Sequence, residues 1–211
     1  AEMCGNGIRC FAKYVFDHGL TSKKNISVET LAGIKYIDMT AKHNRVEKVR
    51  VDMGEPILQR ERIPMQGDPG MVIDEVLPLD GVRFNITSVS MGNPHVIIYV
   101  EDVKNFPAEK YGPMIENHPL FPKRTNVEFI QIINENEVIQ RTWERGSGET
   151  LACGTGASAV TVAGVLNKRT ARKIVVHLNG GDLETEWNDV DNHVYLTGPA
   201  VEVFSGEWPE E

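Results

Sequence analysis

The sequence predicts an α+β protein in which strands dominate, neighbouring strands run mainly antiparallel, and each of two strand groups is rolled around one central helix. Three observations carry this expectation. A short motif occurs twice, as Cys4-Gly5-Asn6-Gly7 and Cys153-Gly154-Thr155-Gly156, 149 positions apart, and each copy runs into a helical pattern. Most of the remaining chain is made of short β-branched and aromatic runs separated by turn signals. The helices after the two motifs carry apolar residues on most sides, Ile8, Phe11, Ala12, Val15 and Phe16 in one and Ala159, Val160, Val162, Ala163, Val165 and Leu166 in the other. A helix that is apolar all round is a buried helix, and a curved sheet wrapped around each would bury it.

Taken in order, the first helix is expected from Gly5 to His18, with Gly19 ending it. Strands follow at 26–31, 34–40 and 46–53, the first two joined by a hairpin turn at Ala32-Gly33. Residues 54–70 hold several prolines and glycines and read as a connector. Strands at 82–89 and 96–100 come next, then a helix over 108–118 that Pro113 must kink or split. Two more strands, 126–133 and 138–143, lead to the second Cys-Gly motif and its helix over 157–166. The run Asn179-Gly180-Gly181-Asp182 is a strong hairpin signal between strands at 174–178 and 183–187. Short strands at 194–196 and 201–204 complete the reading.

The 211 residues suffice for two small domains or one large one. A hydrophobic content of 41% with 25% charged residues is ordinary for a globular chain. The formal charge of −8 argues against a nucleic-acid surface. The basic clusters Lys23-Lys24 and Lys168-Arg169 with Arg172-Lys173 follow helix ends, where cations complement the dipole and stay solvated. No apolar run is long enough for a membrane span. Three cysteines are too few for a secreted disulfide framework and fit a reducing, cytoplasmic setting. Cys10, six residues after Cys4, is expected to pack as a small apolar residue. The six histidines and three cysteines show no ligand spacing of the zinc type, and no lysine sits in a context that suggests a Schiff base, so neither metal nor cofactor is expected.

The paired motifs carry the chemistry. A helix start leaves backbone N–H groups without intrahelical partners and is the positive end of the dipole. A cysteine there is expected to have its thiolate stabilised and its pKa lowered. The same N–H groups can cradle a carboxylate, and glycines let the ligand come close. Two such copies facing each other would hold one amino-acid carboxylate with a sulfur on either side of its α-carbon. That geometry suits stereoinversion, in which a thiolate removes the α-proton from one face and a thiol returns one from the other.

Three segments accompany the thiols. In Met91-Gly92-Asn93-Pro94-His95, Asn93 offers amide hydrogen bonds to an amino acid and His95 a proton carrier near neutral pH; taken alone, the segment reads equally as a turn and a surface histidine. In Arg124-Thr125-Asn126-Val127-Glu128-Phe129, Asn126 is a candidate for substrate, with Glu128 on a solvated or hydrogen-bonded face. In Glu144-Arg145-Gly146-Ser147-Gly148, just before the second motif, Arg145 presents a fork that matches a carboxylate, and Glu144 can accept a proton or bind an ammonium.

With these segments assembled, the chain resembles the diaminopimelate epimerases. The matching stretches are MCGNGIRC (3–10), VDMGEP (51–56), SMGNPH (90–95), TNVEF (125–129), ERGSGET (144–150) and ACGTG (152–156), in order and spread over nearly the whole chain. The resemblance implies two pseudo-symmetric halves with the active site in the cleft. It also implies a homodimer and a cofactor-free conversion of LL- to meso-diaminopimelate for lysine and peptidoglycan synthesis. It makes Cys4 and Cys153 the acid/base thiols and His95 and Glu144 the groups that assist proton movement. Asn93, Asn126 and Arg145 would recognise the distal end of the substrate, and Gly5, Asn6, Gly154 and Thr155 would hold the reacting carboxylate. Because the family's chain returns to the first half at its end, 1–54 with 200–211 form one expected domain and 55–199 the other. The family has a further stretch before its first Cys motif, so this chain is expected to have an incomplete first half and to be weakly active or inactive. The rival readings are another two-cysteine enzyme such as a proline or hydroxyproline racemase, a thiol redox sensor whose cysteines pair reversibly, and an inactive binding module.

Overall fold

A computed structural model describes residues 4–31 and 33–207. Its centre is one twelve-stranded sheet. The strands are β1 (Asn25–Thr30), β2 (Gly33–Lys42), β3 (Arg45–Gly54), β4 (Glu75–Leu79), β5 (Val82–Ser90), β6 (Pro94–Tyr99), β7 (Asn126–Asn134), β8 (Glu137–Glu144), β9 (Gly148–Thr150), β10 (Lys173–Leu178), β11 (Gly181–Trp187) and β12 (Val194–Gly198). Their order is β1-β2-β3-β12-β11-β10-β8-β7-β6-β5-β4, with β9 paired to β8. Every pairing is antiparallel except β6 with β7 and β8 with β10. Those two parallel pairs need long crossovers. The first crossover contains α2 (Ala108–Glu116), and the second contains α3 (Gly154–Leu166); α1 (Gly5–Asp17) precedes the sheet.

Alternation along β6 and β7 sends neighbouring residues to different cores, as the period of two requires. Ile97 and Ile130 join the core around α1 and α3, while Val96, Ile98, Val127 and Phe129 join a second core on the α2 side. With both faces covered, these strands are almost wholly buried. Between Leu178 and Gly181, the expected turn forms as a two-residue hairpin loop at Asn179-Gly180. Gly112 of α2 lies against Trp143 of β8: a Cβ there would sit 2.5 Å from both Cγ and Cδ2 of the ring. Gly112→Ala is therefore expected to lower stability by about 1–3 kcal/mol, despite the better helix propensity of alanine; an unshifted urea midpoint would contradict this.

Several expectations are corrected. From Gly154 to Gly164, α3 is buried at every residue, but α1 is not: Phe11 and Tyr14 are about half exposed. One side of α1, carrying Ile8, Ala12 and Phe16, packs on the core, and β3 covers only that side. Cys10 is exposed rather than packed. No strand forms at 201–204, where Val201, Val203 and Phe204 are exposed and unpaired along irregular chain. Instead of reaching His118, α2 ends at Glu116, and it runs through Pro113 without splitting. Two short strands were not anticipated, β4 with Pro78 inside it at the sheet edge, where proline is tolerated, and β9 in what reads as a glycine-rich loop. The basic residues Arg169 and Arg172 are not merely solvated but stack over Tyr99 and Trp187. Met3 of the first motif, Ala32 of the expected hairpin turn and 208–211 of the expected first domain lie outside the described residues. Among the described residues, no helix is long and apolar enough to cross a membrane.

Candidate active site

The two motifs fold alike. Cys4 is the N-cap of α1 with φ −134° and ψ 105°, and its sulfur accepts from the Gly7 N–H at 3.3 Å. Cys153 caps α3 with φ −125° and ψ 112° and accepts from Gly156 N–H at 3.4 Å. Each thiol thus takes the place of the usual Ser or Asp cap, in extended backbone just before thirteen helical residues.

The helix starts meet end to end. A Cβ on Gly154 would lie 3.3 Å from the Gly5 Cα, and one on Gly5 would lie 3.4 Å from the Gly154 Cα. Both glycines rest on the same Leu196 methyl of β12. Asn6 crosses the junction, its Nδ2 donating to the Ala152 carbonyl at 3.3 Å. Buried Arg9 braces the junction from below, donating to the Gly5 carbonyl, to Asn6 Oδ1 and to the Pro199 carbonyl.

Between the helix starts lies a cavity of about 120 Å³, lined by Cys4, Gly5, Asn6, Asn93, Glu144, Ala152, Cys153, Gly154 and Thr155. Eight of the eleven sequence-predicted residues therefore share one small space. A larger groove of about 600 Å³ runs between the outer face of α1 and 200–206, but it holds Cys10 and none of the eleven.

The thiols differ. Cys4 is exposed and Cys153 is buried. Contrary to the lowered value expected at a helix start, burial pushes the Cys153 thiol up, and the Glu128 and Glu144 carboxylates add to this. The contacts to Thr155 and to the Gly156 N–H pull the other way and are outweighed, because desolvation of a sulfur anion exceeds the benefit of one helix end. Cys153 is accordingly held as a proton-bearing thiol. The raised value has a stability consequence. The folded state binds this proton more tightly than the unfolded chain, so the contribution is complete below the ordinary thiol pKa of about 8.5 and is lost as pH rises above it. Replacing Cys153 with alanine is expected to flatten the alkaline fall in stability measured by denaturation between about pH 7 and pH 10; an equal fall in both proteins would refute this.

The other three candidates lie outside the cavity. His95 is fully buried, with Nε2 3.1 Å from Asn93 Oδ1 and Nδ1 2.8 Å from Glu128 Oε1. Asn126 spends its amide on backbone, donating to the Pro94 carbonyl and accepting from the Arg145 N–H. The Arg145 guanidinium donates to the Lys123 carbonyl. Asn126 and Arg145 are thus neighbours outside the cavity. Glu144 accepts from the Thr150 hydroxyl.

Two carboxylates near the site were missed. Glu116 at the end of α2 accepts from the Gly146 N–H, Trp143 Nε1 and Arg124, and so pins the turn that carries Arg145. Of the two faces expected for Glu128, solvated or hydrogen-bonded, the structure gives the second: it is wholly buried and hydrogen-bonded. A charged residue flanked by Val127, Phe129 and Ile130 was the available signal.

The family model described as "Diaminopimelate epimerase" matches residues 1–59 and 87–203. A diaminopimelate epimerase of Moorella thermoacetica is 57% identical over 208 residues, 99% of this chain and 75% of that one. One of Acetivibrio thermocellus is 58% identical over 207 residues, 98% of this chain and 74% of the relative. Among solved structures, a probable proline racemase from Agrobacterium radiobacter K84 with bound carbonate aligns with TM-score 0.70 at 16% identity. A hydroxyproline epimerase from Agrobacterium vitis with bound trans-4-hydroxy-L-proline aligns with TM-score 0.70 at 14% identity. Each alignment covers 94% of this chain, but only 65% and 64% of those chains, and at such identity they establish the fold alone. Motifs, fold, family match and identity across almost the whole length agree: the chain belongs to the diaminopimelate epimerase family, a family of isomerases.

Proposed function

We propose that this chain interconverts LL- and meso-diaminopimelate by a two-base proton transfer between Cys4 and Cys153. The observation that carries the reading is the pair of N-capping sulfurs on helices whose starts abut around one cavity. The substrate carboxylate lies against the N–H groups of Gly5, Asn6, Gly154 and Thr155, where both helix dipoles stabilise charge that develops at the α-carbon. A thiolate on one face takes the α-proton. The electron pair left on carbon then takes a proton from the thiol on the other face, and the two sulfurs end the turnover with their states exchanged. Burial favours the protonated form of Cys153, which supplies the acid in one direction and, with its state exchanged, the base in the other. Glu144 in the cavity wall and His95 behind Asn93 assist proton movement. A cavity of about 120 Å³ takes the reacting head of the substrate, and Asn93, Asn126 and Arg145 recognise the distal end.

The finer features belong to the same reading. Residues 1–54 with 200–211 form one half and 55–199 the other, so each half supplies one thiol. The protein works in the cytoplasm as a homodimer.

The test is deuterium incorporation at the α-carbon of LL-diaminopimelate in heavy water, with proline as control. Exchange and inversion of diaminopimelate alone are expected. Turnover of proline in its place would move the assignment to the racemases that share the fold, and no exchange with either would remove the catalytic reading.

A further inference from the structure

Glu128 of β7 is fully buried among apolar neighbours, a placement that costs several kcal/mol unless the charge is well partnered. Its partners are specific. Oε1 lies 2.8 Å from His95 Nδ1, and Oε2 accepts from Gln140 Nε2 at 2.7 Å and from the Thr142 hydroxyl at 2.6 Å. No lysine or arginine among the described residues pairs with it. The carboxylate also fills the space beside Gly156, where a Cβ would come within 2.5 Å of Oε1, so it sits against the first turn of α3.

A carboxylate only accepts, so His95 Nδ1 carries a proton toward it and the ring is locked. Nε2 faces Asn93 Oδ1 at 3.1 Å; an amide oxygen also only accepts, so this contact is a hydrogen bond only where Nε2 bears a proton as well. Asn93 Nδ2 donates to Thr155 Oγ1 at 3.2 Å, and that hydroxyl is 3.4 Å from the Cys153 sulfur. Four contacts thus run from the buried carboxylate to one of the two thiols. Among the described residues nothing comparable reaches Cys4, whose sulfur contacts the Gly7 N–H.

We propose that Glu128 is a positioning residue of the epimerase site, acting through His95, Asn93 and Thr155 to orient the Cys153 thiol. The proposal rests on the two-thiol reading above. It assigns the two halves of the reaction unequal support: the Cys153 face is fixed by a buried network, while the Cys4 face depends on its helix start. The ionisable groups that face the Cys153 sulfur are Glu128 from β7 and Glu144 from β8, with His95 of β6 behind Asn93 and Cys4 across the cavity.

The test compares Glu128→Gln and Glu128→Asp with the parent chain by two readouts. In Glu128→Gln, kcat for diaminopimelate is expected to fall by about 10- to 100-fold, the cost of a misaimed reacting group, with KM within about two-fold. Iodoacetamide labelling near pH 8, followed peptide by peptide, should quicken several-fold at Cys153, which loses a neighbouring charge, and stay constant at Cys4. Glu128→Asp keeps the charge and should label Cys153 as slowly as the parent. A Glu128→Gln protein that is less stable, yet unchanged in kcat and in Cys153 labelling, would overturn the proposal, as would equal acceleration at both thiols. Labelling needs no turnover, so an inactive parent chain with the expected labelling pattern would sink the two-thiol function and leave the positioning role standing.

Discussion

Replacing either Cys4 or Cys153 with alanine is expected to lower epimerisation by at least about 10³-fold, since general acid–base groups contribute about 10²- to 10⁴-fold each and inversion needs both faces served. Each single variant should keep a slow exchange of α-hydrogen with solvent for only one stereoisomer, the one whose proton faces the surviving sulfur, and that exchange should proceed without inversion. Proton NMR in heavy water reads both quantities at once. Serine in place of either cysteine should rescue little, because a hydroxyl releases its proton far less readily than a thiol. If either alanine variant epimerised within ten-fold of the parent, the paired-thiol mechanism would be wrong. Cys10→Ala is the natural control: Cys10 is exposed in the outer groove and absent from the cavity lining, so its loss should leave the rate unchanged.

The second large effect is steric. Gly154→Ala places a methyl group 3.3 Å from the Gly5 Cα and 3.2 Å from the Leu196 methyl. Leu196 is fully buried and the other neighbour is backbone, so neither gives way freely. The helix starts must separate by a few tenths of an ångström, and with them the N–H groups proposed to hold the substrate carboxylate. A loss of about 10- to 100-fold in kcat/KM is expected from misplacement on this scale, with the circular dichroism spectrum unchanged. Gly5→Ala should do the same from the other side. The double variant should cost less than the product of the two, because the sites share one contact and their effects do not add. Full activity in both single variants would show that the close approach of the helices has no part in the reaction.

The placement of the candidate site was largely legible in the sequence because its candidate residues are concentrated at helix starts. The Cys-Gly-polar-Gly spelling specifies an N-cap, a close approach and a helix in four residues, and Cys4, Asn6, Cys153 and Thr155 all reached the cavity. What the pattern could not convey was how deeply each copy lies. Two spellings that differ only at the third position gave an exposed thiol and a buried one, so the direction expected for the pKa from the helix end alone is reversed at Cys153. Burial is set by the strands that surround α3 on every side and β3 that flanks α1 on one, and that is a property of pairing order, not of local spelling. The same limit explains Glu128: a single acidic residue in an apolar strand is a signal only when the opposite strand is known to bring Thr142 across from it. The unformed strand at 201–204 shows the converse, alternation and β-branching without a neighbour to pair with.

The place of β12 has a consequence for how the molecule is made. It is the last strand in chain order, yet it lies in the middle of the sheet between β3 and β11, and its Leu196 is the seat on which both glycine helix starts rest. Pairing Val51 with Leu196 closes a loop of more than a hundred residues, a contact that is entropically slow to form and that a growing chain can make only after Leu196 has been synthesised. The meeting of the two helix starts on Leu196 therefore waits on this long-range pairing. Every earlier intermediate carries two cysteines that have not yet met, so the appearance of activity during refolding should lag behind the formation of α3 and its neighbouring strands.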